Sequence, residues 1–338
     1  MSADTKTVTI PKTFVWRRLH SLMGLWFSIF LIEHMFTNSQ VALFFGGNEL
    51  WFVRFVDFLR NIPYLHFVEV GLLGIPIAYH AAWGIYYMIS SKPNSMRGNG
   101  TRPVMKYARS RAYTWQRITA WILLFGIVLH VVQMRFIAYP YKYRWAGETK
   151  FYVKLSVDPG LYSVADKLDV KLYDTKAIER EKESYTRIKS KIHLVEDRKK
   201  ELLQQMREEK SQENYSSELD SVYQSLQNFG LMRENLRGLE SREIKEGQVM
   251  AVSKSFGALE LLNVRETFQS LIMCFLYTVF VLAAVFHAFN GVWTFLITWG
   301  LILSRRSHST GKTFSLGLMF LIGLFGMMAI WGTFFLSL

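Results

Sequence analysis

The chain has 338 residues, half of them hydrophobic and 15% aromatic, and carries 40 Lys and Arg against 27 Asp and Glu, a formal charge of +13. Mean hydropathy is +0.12 and the apolar residues are clustered, so the basic excess reads as flanking membrane spans, and neither a uniform soluble domain nor a nucleic-acid surface is expected. The single cysteine, Cys274, rules out a disulfide framework, a Cys-rich zinc site and a four-thiolate iron–sulfur cluster within this chain.

A bilayer core is crossed by about 20 mostly apolar residues in a helix, which satisfies its own backbone groups there. Span one is expected from about Leu19 to Gln40 and contains one acid, Glu33; span two runs from about Tyr64 to Ile89, with Glu69 and a kink at Pro76; span three runs from about Ile118 to Ala138. The N-terminal sequence MSADTKTVTIPKTF lacks a small-residue cleavage site after a short apolar core, so span one is expected to be retained.

A polar stretch follows, from about Tyr139 to Arg265, in which 21 of the 40 residues between Lys171 and Lys210 are charged. Apolar residues recur there at heptad spacing: Tyr185, Ile188, Ile192, Val195, Leu202 and Met206, with Lys199 at one seam position. After a polar break at Gln212 to Ser217, Leu219, Val222, Leu226, Phe229 and Leu236 keep the spacing. This pattern predicts an antiparallel helical hairpin, against the alternative of a disordered charged tether.

From Thr267 to Ser304 there are 38 residues without Asp, Glu, Lys or Arg, read as one long fourth span bent at Asn290-Gly291. The fifth span, Phe314 to Leu338, has 25 residues and no charge. The expected fold class is therefore all-α: an integral membrane bundle of five transmembrane helices, with a polar, coiled-coil-like helical hairpin inserted between helices three and four. The expected division is 1–138 for spans one to three, 139–265 for the insertion and 266–338 for spans four and five.

Basic residues set the orientation. Lys12, Arg17 and Arg18 precede span one; Lys92, Arg97, Arg102, Lys106, Arg109, Arg111 and Arg117 lie between spans two and three; Arg305, Arg306 and Lys312 lie between spans four and five. All three groups fall on one side, so the N-terminus is expected in the cytoplasm, with the C-terminus and the insertion outside.

Four of the eight histidines lie inside spans, one on each of spans one to four: His34, His80, His130 and His287. Polar side chains in lipid are costly and mark sites. Haem iron accepts two axial imidazoles, and facing helices can supply them, so four such histidines suit two bis-histidine haems. The alternative is that each is a hydrogen-bonding packing residue. His34 comes five residues before Ser39-Gln40 and His130 five before Arg135, which places both in the outer half of the membrane. His80, 17 residues after Pro63, lies in the inner half; His287 is ambiguous by depth and joins His80 by elimination.

Several motifs surround these histidines: Trp16-Arg17-Arg18-Leu19-His20-Ser21 leading to Ile32-Glu33-His34; Tyr79-His80-Ala81-Ala82-Trp83-Gly84; Gln116-Arg117-Ile118-Thr119 leading to His130-Val131-Val132-Gln133-Met134-Arg135; and Phe286-His287-Ala288-Phe289-Asn290-Gly291-Val292-Trp293. As an ordered set over about Phe14 to Ala138 and Thr267 to Leu338, they resemble the five-span, single-chain, di-haem cytochrome b membrane anchor of bacterial succinate dehydrogenase, the succinate:quinone oxidoreductase. The resemblance implies His34, His80, His130 and His287 as axial ligands of two haem b groups in the bacterial cytoplasmic membrane. It also implies partner subunits, a flavoprotein with FAD and an iron–sulfur protein with its clusters, and a membrane quinone, with menaquinone expected, as electron acceptor. The chain departs from the family in the insertion of roughly 125 residues, where a short connection is usual, and in Glu33, where a family member has Gln.

Other residues have two readings each. Arg17, Arg18 and His20 hold the inner haem propionates or receive the iron–sulfur partner, against ordinary positive-inside anchoring. Arg135 pairs with outer-haem propionates, against simple snorkelling. Glu33 and Glu69 exchange protons at a quinone site near the outer haem, against Glu69 facing the headgroups. Three rival functions remain open: the quinone-reacting di-haem subunit of another respiratory oxidoreductase such as a formate dehydrogenase or hydrogenase, a fumarate reductase anchor, and a transporter whose histidines relay protons.

Overall fold

The computed structural model describes residues 10–43, 51–91, 105, 107–145, 147–208 and 213–337. The expectations on residues 1–9, on Lys92, Arg97, Arg102 and Lys106 of the second basic loop, and on the hairpin turn at 209–212 lie outside the described residues. The chain runs α1 (Lys12–Leu43), α2 (Trp51–Arg60), α3 (Leu65–Glu69), α4 (Ile75–Ser90) and α5 (Ala108–Val131). Then come β1 (Tyr141–Trp145), β2 (Glu148–Ser156), α6 (Leu161–Lys167), β3 (Lys171–Tyr173), α7 (Thr175–Lys189), α8 (Ile192–Glu208), α9 (Glu213–Leu239), β4 (Gln248–Ser253) and α10 (Phe256–Gln269). Helices α11 (Leu271–Thr298), α12 (Arg305–Met327) and α13 (Thr333–Ser337) close it. Short π segments join α3 to α4 (Val70–Gly74), extend α5 (Val132–Ile137) and join α12 to α13 (Met328–Gly332). Two compact units result, Met1–Gln133 with Thr267–Leu338, and Met134–Glu266.

The first unit is a helical bundle. Five helical stretches among the described residues are long and apolar enough to cross a membrane: Lys12–Ala42, Leu65–Ser90, Ala108–Ile137, Leu271–Thr298 and Arg305–Leu336. Large apolar side chains point away from the bundle, among them Ile89, Phe67, Phe320 and Ile272, each more than 70% exposed, as helices facing lipid require. Helix α1 packs on α4, α11 and α12, and α11 packs also on α5 and α12, so α1 and α11 form the centre. The chain is a multi-pass membrane protein by this pattern.

The 38-residue uncharged stretch is not one helix. Ser270 caps α11, its hydroxyl oxygen accepting from the backbone N–H of Met273, so Thr267–Gln269 belong to α10 instead. At the other end Gly300 takes a φ of +71°, a left-handed conformation that ends α11 cheaply only at glycine. Ser304 then starts α12 with a reciprocal capping box to Ser307, nine residues before the expected start of span five at Phe314. The helix runs unbroken through Asn290-Gly291.

The second unit departs from the all-helical reading of the insertion. It contains a four-stranded antiparallel sheet in the order β1-β2-β4-β3, with Tyr143 opposite Lys150, Val153 opposite Ala251 and Leu172 opposite Ala251. Strand alternation puts Phe151, Val153 and Leu155 on one face and Tyr152 on the other, and both faces are buried. Tyr152 joins Leu239, Met250 and Val252 in a core that reaches Tyr143, Tyr173, Ile178 and Ile244. Its ring fills the space that a Cβ at Gly238 would take, so α9 can approach the sheet there only with glycine. On the opposite face Phe151 meets Phe256 of α10 edge-on at 5.3 Å.

Among the described residues, three helices, not two, occupy the heptad region, because the chain turns at Ser190-Lys191 between α7 and α8. The expected seam is partly realised. Leu202, Val222 and Leu236 are buried, Tyr185 stacks on Phe229 at 5.2 Å, and Lys199 lies over the Tyr223 ring at 4.5 Å. Ile188, by contrast, is 43% exposed. The ion pairs Arg198–Glu218 and Lys182–Glu240 show α9 running antiparallel to α7 and α8.

Candidate functional site: paired histidines between spans

The four intramembrane histidines form two pairs in the first unit. The rings of His34 on α1 and His130 on α5 have centroids 5.9 Å apart and are nearly perpendicular, at 82°. The rings of His80 on α4 and His287 on α11 are 6.2 Å apart at 79°. Neither α1 and α5 nor α4 and α11 pack closely on each other, so each pair reaches across a gap between helices.

Each ring is held from behind. His80 Nδ1 lies 3.0 Å from the His20 carbonyl oxygen; a carbonyl only accepts, so this nitrogen carries the proton and donates. The His20 ring is stacked on His80 at 4.0 Å, and Tyr87 meets His20 edge-on. Gly24 makes this possible, since a Cβ there would come within 2.8 Å of His80 Cε1. Behind His287, Nδ1 lies 3.2 Å from Thr119 Oγ1. Gln116 Nε2 donates to the His287 carbonyl at 3.1 Å, and Asn290 Nδ2 donates to Gln116 Oε1 at 2.7 Å, tying α5 to α11. His130 Nδ1 lies 3.1 Å from the Tyr277 hydroxyl, and the His34 ring stacks on Phe30 at 5.4 Å.

The donor set suits one kind of metal group. Among the described residues, no three His, Cys, Asp or Glu side chains gather as a metal site, so a bare ion would find only two protein ligands. A metalated macrocycle brings four equatorial nitrogens of its own and needs two axial ligands. Imidazoles on opposite sides of one metal have centroids about 6.3 Å apart, given metal–nitrogen bonds of about 2.0 Å. The observed 5.9 and 6.2 Å are close to that spacing. Beside His80, the buried atoms His20 Nδ1, Tyr79 Oη and Trp83 Nε1 have no hydrogen-bond partner, a cost that a polar edge of a bound group would relieve.

The other expected site residues are more scattered. Arg17 is exposed, and the Arg18 guanidinium lies 3.6 Å from the centre of the Phe14 ring and 5.8 Å from that of Trp299. Thr37 donates to Glu33 Oε1 at 2.7 Å, one helical turn on from the acid. Glu69 pairs with His66 at 3.5 Å, where the π segment begins, and Trp26 donates to the Leu72 carbonyl of that segment at 2.6 Å. Arg135 belongs to the second unit, with its guanidinium 4.5 Å from the Tyr139 ring centre. Near it, burial pushes the Glu260 carboxyl up to about 7, partly opposed by a hydrogen bond with Asn263 and the Arg135 charge.

Sequence reasoning assigned no role to Thr119, Gln116, Asn290 or Tyr277, although all lie in or next to apolar spans. Uncharged polar side chains inside a membrane helix, three or four residues from a candidate ligand or facing one, were the available signal.

Over 128 residues the chain is 31% identical to the succinate dehydrogenase cytochrome b558 subunit of Bacillus subtilis (strain 168). The likeness is distant and partial. It covers 38% of this chain and 58% of that subunit's length. No family model matches the chain, and no solved structure matches it.

Proposed function

We propose that this chain is a di-haem cytochrome b membrane anchor of a succinate dehydrogenase, with His34 and His130 holding one haem b and His80 and His287 the other. The observation that carries the reading is the pair of ring separations, 5.9 and 6.2 Å, each between helices that do not pack closely. The similarity to a succinate dehydrogenase cytochrome b558 subunit favours it over a proton-relay transporter and over other quinone-reacting subunits.

Haem iron in these positions supplies one-electron transfer, and the chain supplies binding, order and electrostatics. Nδ1 donation from His80 leaves its Nε2 lone pair free for a metal, and His20 fixes the ring's plane. The unpartnered polar atoms of His20, Tyr79 and Trp83, with Arg18 nearby in sequence, are the groups that would hold the polar edge of a haem at this pair. The five apolar spans exclude water from both pairs. Partner flavoprotein and iron–sulfur subunits bring electrons from succinate, and a quinone, menaquinone in this reading, takes them up. Glu33 and Glu69 handle protons at the quinone, Glu69 exchanging with His66 at its half-exposed side. The basic residues flanking the spans support a cytoplasmic N-terminus and an outer C-terminus.

Two measurements test this. The chain purified from native membranes should carry flavoprotein and iron–sulfur partners and reduce quinone with succinate. Glu69→Gln should lower quinone reduction at least tenfold while haem content and succinate oxidation by an artificial acceptor persist. Unchanged quinone reduction would reject the role of Glu69, and copurification with a different dehydrogenase would reject the succinate assignment.

A further inference from the structure

Three of the four intramembrane histidine rings have an oxygen within hydrogen-bonding distance of Nδ1, and the three oxygens differ in kind. His80 faces a backbone carbonyl, His287 the Thr119 hydroxyl and His130 the Tyr277 phenol. Among the described residues, no hydrogen bond reaches the His34 ring, which instead stacks on Phe30.

The direction of the Thr119 contact follows from its own helix. Thr119 is 5% exposed, and its hydroxyl donates to the Trp115 carbonyl at 2.8 Å. With its one hydrogen committed there, Oγ1 has only lone pairs to offer His287, so His287 Nδ1 carries the proton and donates. Both contacts therefore favour the tautomer that leaves Nε2 free on the rings of the 80/287 pair. Tyr277 is different, because its hydroxyl can turn to accept from His130 or donate to it. Its position is nonetheless fixed. The Tyr277 ring lies edge-on to Phe268 at 5.2 Å and to Phe280 at 6.1 Å. Phe280 in turn fills the space at Gly126, where a Cβ would come within 2.5 Å of its ring.

We infer that Thr119 and Tyr277 are positioning residues for two separate metal centres, each holding one ring of one histidine pair by its Nδ1 edge and setting the reduction potential of that pair's iron alone. This rests on the haem reading above. A ligating imidazole that donates from Nδ1 becomes a stronger donor at Nε2, which favours ferric over ferrous iron. Loss of the acceptor weakens that preference and raises the potential. Of the four histidine rings, Thr119 bonds that of His287 and Tyr277 that of His130, so the effects separate.

The test is a potentiometric titration, followed by optical and electron paramagnetic resonance spectra, of the full chain purified with its haems. Thr119→Val should shift one haem's ferric-to-ferrous preference by about tenfold, or about 59 mV upward for a one-electron couple, and leave the other in place. Tyr277→Phe should shift the other haem and spare the first. Thr119→Ser keeps the hydroxyl and should titrate as wild type, including if Thr119→Val loses its haem. Unmoved midpoints in Thr119→Val and Tyr277→Phe with both haems retained would overturn the inference. So would equal shifts of both haems in either variant, or a Thr119→Ser midpoint displaced as far as that of Thr119→Val. A wild-type chain purified without haem would instead overturn the functional reading on which the inference rests.

Discussion

The two units of this protein solve opposite burial problems. Of the twelve largest fully buried side chains among the described residues, nine lie in the second unit and three, Phe289, Ile322 and Ile330, in the membrane bundle. In the second unit apolar residues go inward, leaving charged helix faces in water. In the bundle, large apolar residues face outward, and the interior between helices is where Thr119, Asn290, Gln116 and the histidines meet. The lesson is about where polarity is costly. A polar group between membrane helices has no competing water, so it marks a site, whereas the dense charge on α7 and α8 is ordinary solvation of a helix pair.

That contrast can be broken from the second unit first. Arg265 is buried and pairs with Asp158 through both nitrogens, while Asp158 also accepts from the Gly160 backbone. Asp158→Ala leaves the guanidinium buried without its counter-charge and should destabilise the second unit by about 3–5 kcal/mol. Hydrogen exchange should then speed up in β2, β4 and α10 while the spectroscopic signature of the proposed haems is unchanged. Loss of that signature would mean the two units are not energetically separate.

Glu260 gives a smaller, pH-dependent version. Its carboxyl is raised from 4.5 to about 7, so the folded state holds a proton there that the unfolded state releases earlier. The folded form therefore binds more protons between about pH 4.5 and 7, and this residue's contribution to stability falls as pH rises through that window, by at most about 3 kcal/mol. Thermal unfolding of Glu260→Gln in detergent should lack this component, so its stability gain over wild type grows from pH 5 to pH 8. A gain that does not change with pH would show that Glu260 is solvated.

The smallest effect is expected from α8 and the first half of α9. Removing the whole heptad region is not innocuous, since Leu239, Gly238 and β3 belong to the sheet's packing. Trimming only His193 to Leu226 with a short linker keeps the Tyr185–Phe229 stack and the core around Tyr152. Loop-closure cost changes slowly with length, so this variant should match wild type in haem content and melt within a few degrees of it. Loss of haem on trimming would tie the helix pair to the site.

Much of the bundle was legible because lipid forces long apolar runs: span two lies within one residue of its expected ends, and span three ends where expected, although its helix starts at Ala108, ten residues before Ile118. The exception was the 38-residue stretch, whose breaks depend on one serine cap and one left-handed glycine, Ser270 and Gly300. The sheet was illegible for a different reason. β2 and β4 pair across about a hundred intervening residues, and QVMAVS, being buried on both faces, has no alternation to separate a strand from a short helix. At the site, the four histidines stood out by residue type and depth. Their supports did not, because threonine back-bonding to its own helix and a tyrosine seven residues into α11 look ordinary until the rings they face are placed.

The proposed function stands on each histidine pair holding one haem. Its most direct test is haem stoichiometry with reduced-minus-oxidised spectra on the purified chain and on His80→Leu and His130→Leu. Wild type should carry two haem b per chain and each variant one, with the surviving haem spectrally distinct between them. Two haems retained in either variant, or the same haem lost from both, would contradict it.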